Sequence, residues 1–287
     1  MYNEIINLAE SLEFKLIAFR RDFHKYAETG WLELRTASLI ARRLTELGYK
    51  VLIGEEVCQS DSRMGLPDKD VLDRNYLRAK EQGADLEFLE KVKEGYTGVI
   101  GILDNGDGPV VAMRFDIDAL GVIEDCSIEH IPANKGFISV NEGFMHACGH
   151  DGHATIGLGV AEVLMSIKDN LRGKIKLIFQ PAEEGVRGAK SIVDKGHLDD
   201  VDYLLGAHIS NNSNSKADLC PGACDALATT KLDVYYHGVS SHAGGSPEKG
   251  KNVMLSAATA ILNLYAIPRN SKGATRINVG TINAGTG

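Results

Sequence analysis

The stretch Met145-His146-Ala147-Cys148-Gly149-His150-Asp151-Gly152-His153 holds the densest group of metal-ligand side chains in the chain. Imidazole, thiolate and carboxylate are the donors that a borderline-soft divalent ion selects. A spacing of two in extended backbone turns Cys148 and His150 to the same side, so both can grip one ion, with either His146 or His153 completing the set. The competing reading is a histidine-rich turn around a thiol that behaves as a small hydrophobe. Three other places carry chemistry of the same kind. Asp116-Ile117-Asp118 follows a β-rich run that ends at Phe115, where open α/β sheets place their sites. Glu183-Glu184 follows Gln180-Pro181-Ala182, and adjacent carboxylates diverge, so one can bind a metal while its neighbour holds the water that the metal acidifies. His208 closes the run Leu204-Leu205-Gly206-Ala207. Each group alone is common on protein surfaces; together they sit at the ends of four successive elements.

Those elements follow from hydrophobic periodicity. Ile5, Leu8, Ala9, Leu12, Leu16, Phe19 and Phe23 fall on one face and predict an amphipathic first helix, with Arg20-Arg21-Asp22-Phe23-His24 as a charged end. A second helix is predicted from Thr36 to Leu47, stopped by Gly48, followed by a strand from Lys50 to Ile53. Residues 57–94 break the pattern with Met64-Gly65-Leu66-Pro67-Asp68 and a charged helical stretch around Leu72 to Val92, which predicts a surface insertion. Gly98 to Leu103, the turn signal Asn105-Gly106 and Pro109 to Phe115 read as a hairpin feeding a sheet. Ala154 to Leu164 reads as a helix with Gly157, Gly159 and Ala161 as small faces. Gly173 to Gln180 reads as a buried strand, Arg187 to Lys195 as a short helix and Val201 to Ile209 as a strand. Alternating strands and helices predict an α/β fold, a mostly parallel sheet with helices on both faces.

Composition shifts at Asn211-Asn212-Ser213-Asn214-Ser215, which suits a crossing between domains. A first segment, residues 1–229 with the surface insertion 57–94, is therefore separated from residues 230–287. The latter hold a predicted strand from Lys231 to His237, a helix from Asn252 to Tyr265 and a strand from Thr275 to Ile282. Two strands and one helix are the start of a small α+β domain rather than a core of their own.

The composition excludes several function classes. Its 39 acidic and 31 basic residues give a net charge of −8 with no basic face, which argues against nucleic acid or anionic membrane as a partner. No apolar stretch is long enough to span a bilayer, and Met1 to Arg20 lacks the form of a signal peptide, so a cytoplasmic location is the default expectation. Five cysteines, Cys58, Cys126, Cys148, Cys220 and Cys224, show no regular framework, and disulfides are not expected.

Taken together, Arg20-Arg21 with His24, Arg114 to Leu120, His146 to His153, Gln180 to Gly185 and Gly206 to His208 resemble the amidohydrolase branch of the M20 metallopeptidases. That branch contains indole-acetyl-amino-acid, N-acyl-amino-acid and p-aminobenzoyl-glutamate hydrolases. Phe144 to Leu158, Lys176 to Ala189 and Ser62-Arg63-Met64-Gly65-Leu66-Pro67 are most similar to the A subunits of the last group. The resemblance covers essentially the whole chain. It implies a zinc-peptidase-like catalytic domain with an inserted small dimerisation or lid domain. It also implies two divalent metal ions, Mn2+ or Zn2+, held by Cys148, His150, Glu184 and His208.

Carried over residue by residue, the resemblance makes Glu183 the general base and Asp118 a carboxylate that orients a ligand. His242, in Ser240-Ser241-His242-Ala243-Gly244, would stabilise the oxyanion in a neighbouring active site, and Asn278 would help bind a substrate carboxylate. Asp116 stands where the wider superfamily has a metal-binding histidine, and Cys148 compensates. The family's last histidine ligand comes from a returning C-terminal segment that these residues do not reach. With it go the expectations of poor turnover by this chain alone and of uncovered apolar surface at Val253, Leu255, Ile261 and Leu264.

The implied function is metal-dependent cleavage of N-acyl or N-aroyl amino acids, most closely p-aminobenzoyl-glutamate to p-aminobenzoate and glutamate. The partners implied are a small amide substrate with a carboxylate and, through the small domain, either a second copy or a related subunit. Hydrolysis of other N-acyl amino acids or dipeptides, or an inactive fragment that retains only the fold and partner surface, are the alternatives.

Overall fold

A computed structural model describes residues 2–210, 222 and 227–285. The chain divides into two compact units, Met1–Lys216 and Ala217–Gly287. The polar stretch expected at the crossing, residues 211–215, lies outside the described residues, as do Cys220 and Cys224. Cys58, Cys126 and Cys148 are free thiols. No helix among the described residues is long and apolar enough to cross a membrane.

In the first unit, α1 (Tyr2–Ser11) and α2 (Glu13–Lys25) stand where one helix is predicted. They are separated at Leu12, whose N–H turns back to the Ala9 carbonyl. The helix α3 (Leu34–Leu47) is closed by Gly48 at φ 93°, which donates to the Leu44 and Thr45 carbonyls, a conformation that costs only glycine nothing. The strand β1 (Lys50–Ile53) follows as predicted.

Residues 57–94 carry α4 (Lys69–Glu81) and α5 (Leu86–Val92) and are not a peripheral decoration. Asp85 caps α5 by accepting from the Glu87 and Phe88 N–H groups, and Phe88, Leu89 and Val92 are buried in the main core. Each large apolar side chain so buried contributes about 1.5–3 kcal/mol. The charged residues of this stretch line the outer helix faces, which is what gave it a surface pattern.

The sheet has five strands in the order β1-β2-β4-β3-β5, with β2 (Val99–Asn105), β3 (Val110–Asp116), β4 (Gly173–Gln180) and β5 (Tyr203–Gly206). Both β1 and β4 run antiparallel to β2, while β3 and β5 run parallel to β4 and β3. Only β2 is therefore reversed, and the mostly parallel sheet holds. The predicted hairpin does not: β4 lies between β2 and β3, pairing Val99 with Phe179 on one side and Asp116 with Gln180 on the other. Gly108 and Gly173 pass so closely that a Cβ on Gly108 would lie 2.7 Å from the Gly173 nitrogen. The Asn105-Gly106 turn thus lets the chain step over the start of β4 rather than fold two neighbours together.

Side chains alternate across β4, and the core has two parts accordingly. Ile175, Leu177 and Phe179 pack with α3, α5 and α7 (His150–Ser166); Ile178 packs with Trp31, Ile100, Ala112 and Ile192 of α8 (Gly188–Asp194). Helices cover both faces, as predicted. A Cβ on Gly157 would come within 2.6 Å of the Phe179 ring, so the small face of α7 permits its close seat on the sheet. The short α6 (Ile131–Asn134) lies in the loop between β3 and α7.

In the second unit, the predicted helix is present as α9 (Met254–Tyr265). The strands predicted at Lys231 to His237 and Thr275 to Ile282 do not form. Leu232, Val234 and Tyr235 are exposed, and a strand without a neighbour has nothing to pair its backbone. Leu255 and Leu264 are exposed as expected, while Val253 and Ile261 are half-buried.

Candidate metal centre

Because β3, β4 and β5 are parallel, the segments that follow them emerge at one edge of the sheet. Asp116 ends β3 and Asp118 follows it; Glu183 and Glu184 follow β4; His208 follows β5. The first residue of α7, His150, meets them there, entered through Gly149 at φ 85°.

His150 is completely buried, and its Nδ1 donates to the Asp118 carbonyl oxygen at 2.8 Å, with an Asp118 carboxylate oxygen at 3.2 Å. That fixes a proton on Nδ1, so that in the neutral ring Nε2 is the lone pair. This Nε2 has no hydrogen-bond partner, nor has the buried Glu184 Oε1. The two lie 4.0 Å apart, with Glu183 Oε2 3.8 Å and Asp116 Oδ2 3.7 Å from the same Nε2. The other Asp118 oxygen accepts from the Glu184 N–H at 2.9 Å, so one carboxylate orients two of the converging residues.

Among the described residues two groups of ligand atoms result, within each of which all atoms lie inside 4.8 Å of one another: Cys148, His150 and Glu184, and Asp116, His150, His153 and His208. His150 belongs to both. His208 Nε2 is also 3.5 Å from Cys148 Sγ, so Cys148, His150, Glu184 and His208 are brought together. His146 joins neither group: it is buried with both ring nitrogens unpartnered, and burial pushes its pKa down to about 4. His153 has both nitrogens engaged, Nε2 accepting from the Ile209 N–H at 2.8 Å and Nδ1 donating to Asp116. It therefore ties Asp116 to the segment after β5.

The charges do not balance inside the protein. Burial and the carboxylates of Glu184, Glu183 and Asp116 push the Cys148 thiol up to about 12. Burial works against a charged His150, yet the hydrogen bond to Asp118 and the charges of Asp116, Asp118 and Glu184 lift it to about 9. Burial likewise raises Glu184, helped by Asp118 and Glu183. Asp116 is held down to about 2 against its own burial by His153 and the Arg114 guanidinium. A site that protonates its histidine and refuses thiolate is short of positive charge, which a divalent ion supplies while holding the thiol deprotonated. Together with the unpartnered atoms on His150 and Glu184, this donor set fits a metal.

Two neighbours of the site had no role assigned from sequence. Arg114 donates to the Gln180 side chain at 2.8 Å, and its Nη1 lies 2.7 Å from Asp116 Oδ2, an ionic contact at an angle too poor for a hydrogen bond. Its Nη2 is 4.0 Å from Glu183. The two-residue spacing to Asp116 on one strand was the available signal. The other is Glu33, far from every motif in sequence. It is fully buried beneath the Pro181–Gly188 turn, accepts from the Ala182 N–H at 2.7 Å and is hydrogen-bonded with the Thr97 hydroxyl at 2.6 Å.

His242 belongs to the second unit, where its Nδ1 accepts from the Gly244 and Gly245 N–H groups at 3.1 and 2.9 Å. Neutral His242 thus carries its proton on Nε2, free to donate. Asn278 accepts from the Tyr265 hydroxyl.

Peptidase family M20/M25/M40 matches residues 112–278, more than half of the chain. The chain belongs to family M20. It is 49% identical over 99% of its length to the A subunit of the p-aminobenzoyl-glutamate hydrolase of Escherichia coli, of which it covers 65%. To the indole-3-acetyl-aspartic acid hydrolase of Enterobacter agglomerans it is also 49% identical, over 95% of its length and 63% of that relative. The crystal structure of an aminobenzoyl-glutamate utilization protein from Klebsiella pneumoniae superposes with a TM-score of 0.74 at 39% identity, covering 99% of this chain and 65% of that one. The M20 chain thus spans just under two thirds of the length of these relatives.

Proposed function

We propose that this M20 chain is the metal-binding part of an amidohydrolase that cleaves N-aroyl or N-acyl amino acids, with p-aminobenzoyl-glutamate as substrate. The observation that carries the reading is the meeting of Cys148, His150 and Glu184 around unpartnered, buried ligand atoms, with Glu183 beside them. The names of the two relatives add the substrate class: an aromatic acyl group joined to glutamate in one, to aspartate in the other.

In this reading Cys148, His150, Glu184 and His208 hold two divalent ions, Mn2+ or Zn2+. Bound there, the metal supplies Lewis acidity, lowering the pKa of a water and polarising the amide carbonyl. Glu183, partly exposed and diverging from Glu184, takes the proton of that water and delivers it to the leaving amine. Asp118 keeps His150 in the tautomer that presents Nε2, and Arg114 keeps Asp116 ionised. His242, its Nε2–H free, donates to the oxyanion across a pairing with a second copy or a related subunit; that the Escherichia coli relative is named as one subunit of its enzyme favours such a pairing. The small domain around α9 supplies the contact, and the enzyme works in the cytoplasm.

Release of p-aminobenzoate from p-aminobenzoyl-glutamate by a Mn2+- or Zn2+-loaded version of the chain extended through the family's C-terminal segment, poor in these 287 residues alone and lost in Glu183→Gln, is the expected result. Faster cleavage of indole-3-acetyl-aspartate would move the substrate within the class. Metal bound at the site of that extended enzyme with neither amide cleaved would overturn the reading.

A further inference from the structure

The segment that carries Glu183 and Glu184 is held in a conformation its residues disfavour. Ala182 (φ 46°) and Val186 (φ 58°) have left-handed backbone on either side of the pair, and Gly185 (φ 86°) lies between them. The remaining non-glycine residue of this kind among those described is Trp31 (φ 67°), in the segment packed underneath. A Cβ on Gly30 would stand 3.0 Å from Ala182 Cα and 2.5 Å from the Arg187 guanidinium, so the two segments are in direct contact. Left-handed backbone at alanine and valine persists only where surroundings over-determine it.

We propose that Glu33 is a positioning residue for the catalytic turn: its carboxyl, anchored by Thr97, holds the Ala182 N–H and thereby sets the divergence of Glu183 and Glu184. The inference rests on the metal-centred reading of the site. Glu33 reaches Ala182 from the start of α3, across the sheet edge; one of its oxygens accepts from the Ala182 N–H and the other is paired with the Thr97 hydroxyl, to which the protonated acid donates. Glu28, the other fully buried glutamate nearby, instead meets the Arg78 guanidinium at 2.9 Å and caps α3 through the Arg35 and Thr36 N–H groups, so it is spoken for by the fold. Nothing of that kind occupies Glu33. Burial and the negative charge of Asp118 push Glu33 up to about 8, so it sits under the turn as a neutral acid and adds no charge to a cluster already rich in carboxylates.

A neutral brace makes a distinctive demand: an amide should serve, an alkyl group should not. Glu33→Gln keeps an acceptor for Ala182 and an N–H for Thr97, whereas Glu33→Leu keeps the volume and offers neither. Titrating the apo chain with Co2+ and following the visible thiolate and ligand-field bands reads the site without substrate. Glu33→Leu is expected to weaken Co2+ binding by roughly 10- to 100-fold, the usual cost of losing a partner behind a ligand. Glu33→Gln should restore most of it. In the turnover assay the loss should fall on kcat with KM little changed, because the brace acts on the base and not on the substrate.

Wild-type affinity in a folded Glu33→Leu chain, or Gln behaving as badly as Leu, would overturn the proposal. Should Glu33→Leu fail to fold, Thr97→Val removes one arm of the brace with little change of shape; native melting with undiminished Co2+ affinity there would overturn it equally. A wild-type chain that binds no Co2+ would remove the metal reading itself, and the role of Glu33 with it.

Discussion

Two buried clusters of acids and histidines lie on either side of the His150-Asp151 peptide, and they are built on opposite terms. In one, His24 is clamped between Asp151 (Nδ1 to Oδ2, 2.9 Å) and Glu124 (Nε2 to Oε1, 2.9 Å), with His130, the Ser139 N–H, Arg20 and the Gly152 N–H meeting the remaining carboxylate positions. Both His24 nitrogens face carboxylates, so it serves as the cation of its own cluster. In the other, His150 and Glu184 end in atoms with no partner. The first cluster is closed and structural; the second is left open to an ion from outside. Both draw on the same nine-residue stretch, the first through Asp151 and the second through Cys148 and His150, which teaches that satisfaction of lone pairs, not density of ligands, separates a site from a brace.

The comparison breaks first at Glu183. Glu183→Gln should cut turnover by ~100- to 10,000-fold while metal content by elemental analysis stays near normal; Glu184→Gln should lose metal. Equal depletion in both would mean that the roles are exchanged or shared. On the closed side, His24→Ala removes the one group that bridges Asp151 and Glu124, leaving each only its more exposed side-chain partner, Arg20 or His130, and urea unfolding should register a loss of up to about 3–5 kcal/mol, with metal stoichiometry unchanged. If His24→Ala instead empties the metal site at native stability, the two clusters are one.

Removing the metal tests the open side. With free ion at about 100 times its dissociation constant, binding adds about 2.7 kcal/mol to stability, so a chelator should lower the melting temperature of wild type and leave that of Glu184→Gln almost where it was. The smallest effect is in pH. His24 is raised above its ordinary 6.5 by Asp151 and Glu124 despite burial, so its contribution is complete below about pH 6.5 and fades as pH rises through the folded value. Despite burial, Asp151 and Glu124 are lowered from 3.8 and 4.5 by the hydrogen bond to His24, so theirs is complete above about pH 4.5 and fades in acid. The stability difference between wild type and His24→Gln should therefore be largest between those limits and shrink as pH rises through the raised folded-state value of His24; a difference independent of pH would show that His24 is not the cation.

Much of this was legible in the sequence. Hydrophobic period placed α3, β1, β4 and α7 within a few residues, and parallel strand order then put Asp118, Glu184 and His208 at one edge without any knowledge of contacts. What escaped was pairing. Asn105-Gly106 has the chemistry of a hairpin turn, and nothing local says that β4, far along the chain, will enter between its arms. Leu89 and Val92 were hidden by their charged neighbours, and the alternating Lys231 to His237 lacked a partner strand to realise its pattern. In the site, His146 and His153 could not be told apart as third ligands, because that depends on Ile209 and Asp116 occupying one ring and not the other. Glu33 gave no signal at all: a lone glutamate before a helix has many uses, and only burial against Ala182 distinguishes this one.

The place of β4 between an antiparallel and a parallel neighbour also bears on the order in which the molecule assembles. Its contacts are with strands distant in sequence, and such pairings are made late and slowly. Until β4 docks, the turn that carries Glu183 and Glu184 has no fixed position beside Asp118 and His150, so the ion meets no complete set of ligands in the folding transition state. Metal should accordingly leave the refolding rate of the apo chain nearly unchanged and act almost wholly by slowing unfolding, so that its benefit is persistence of the native state rather than speed in reaching it.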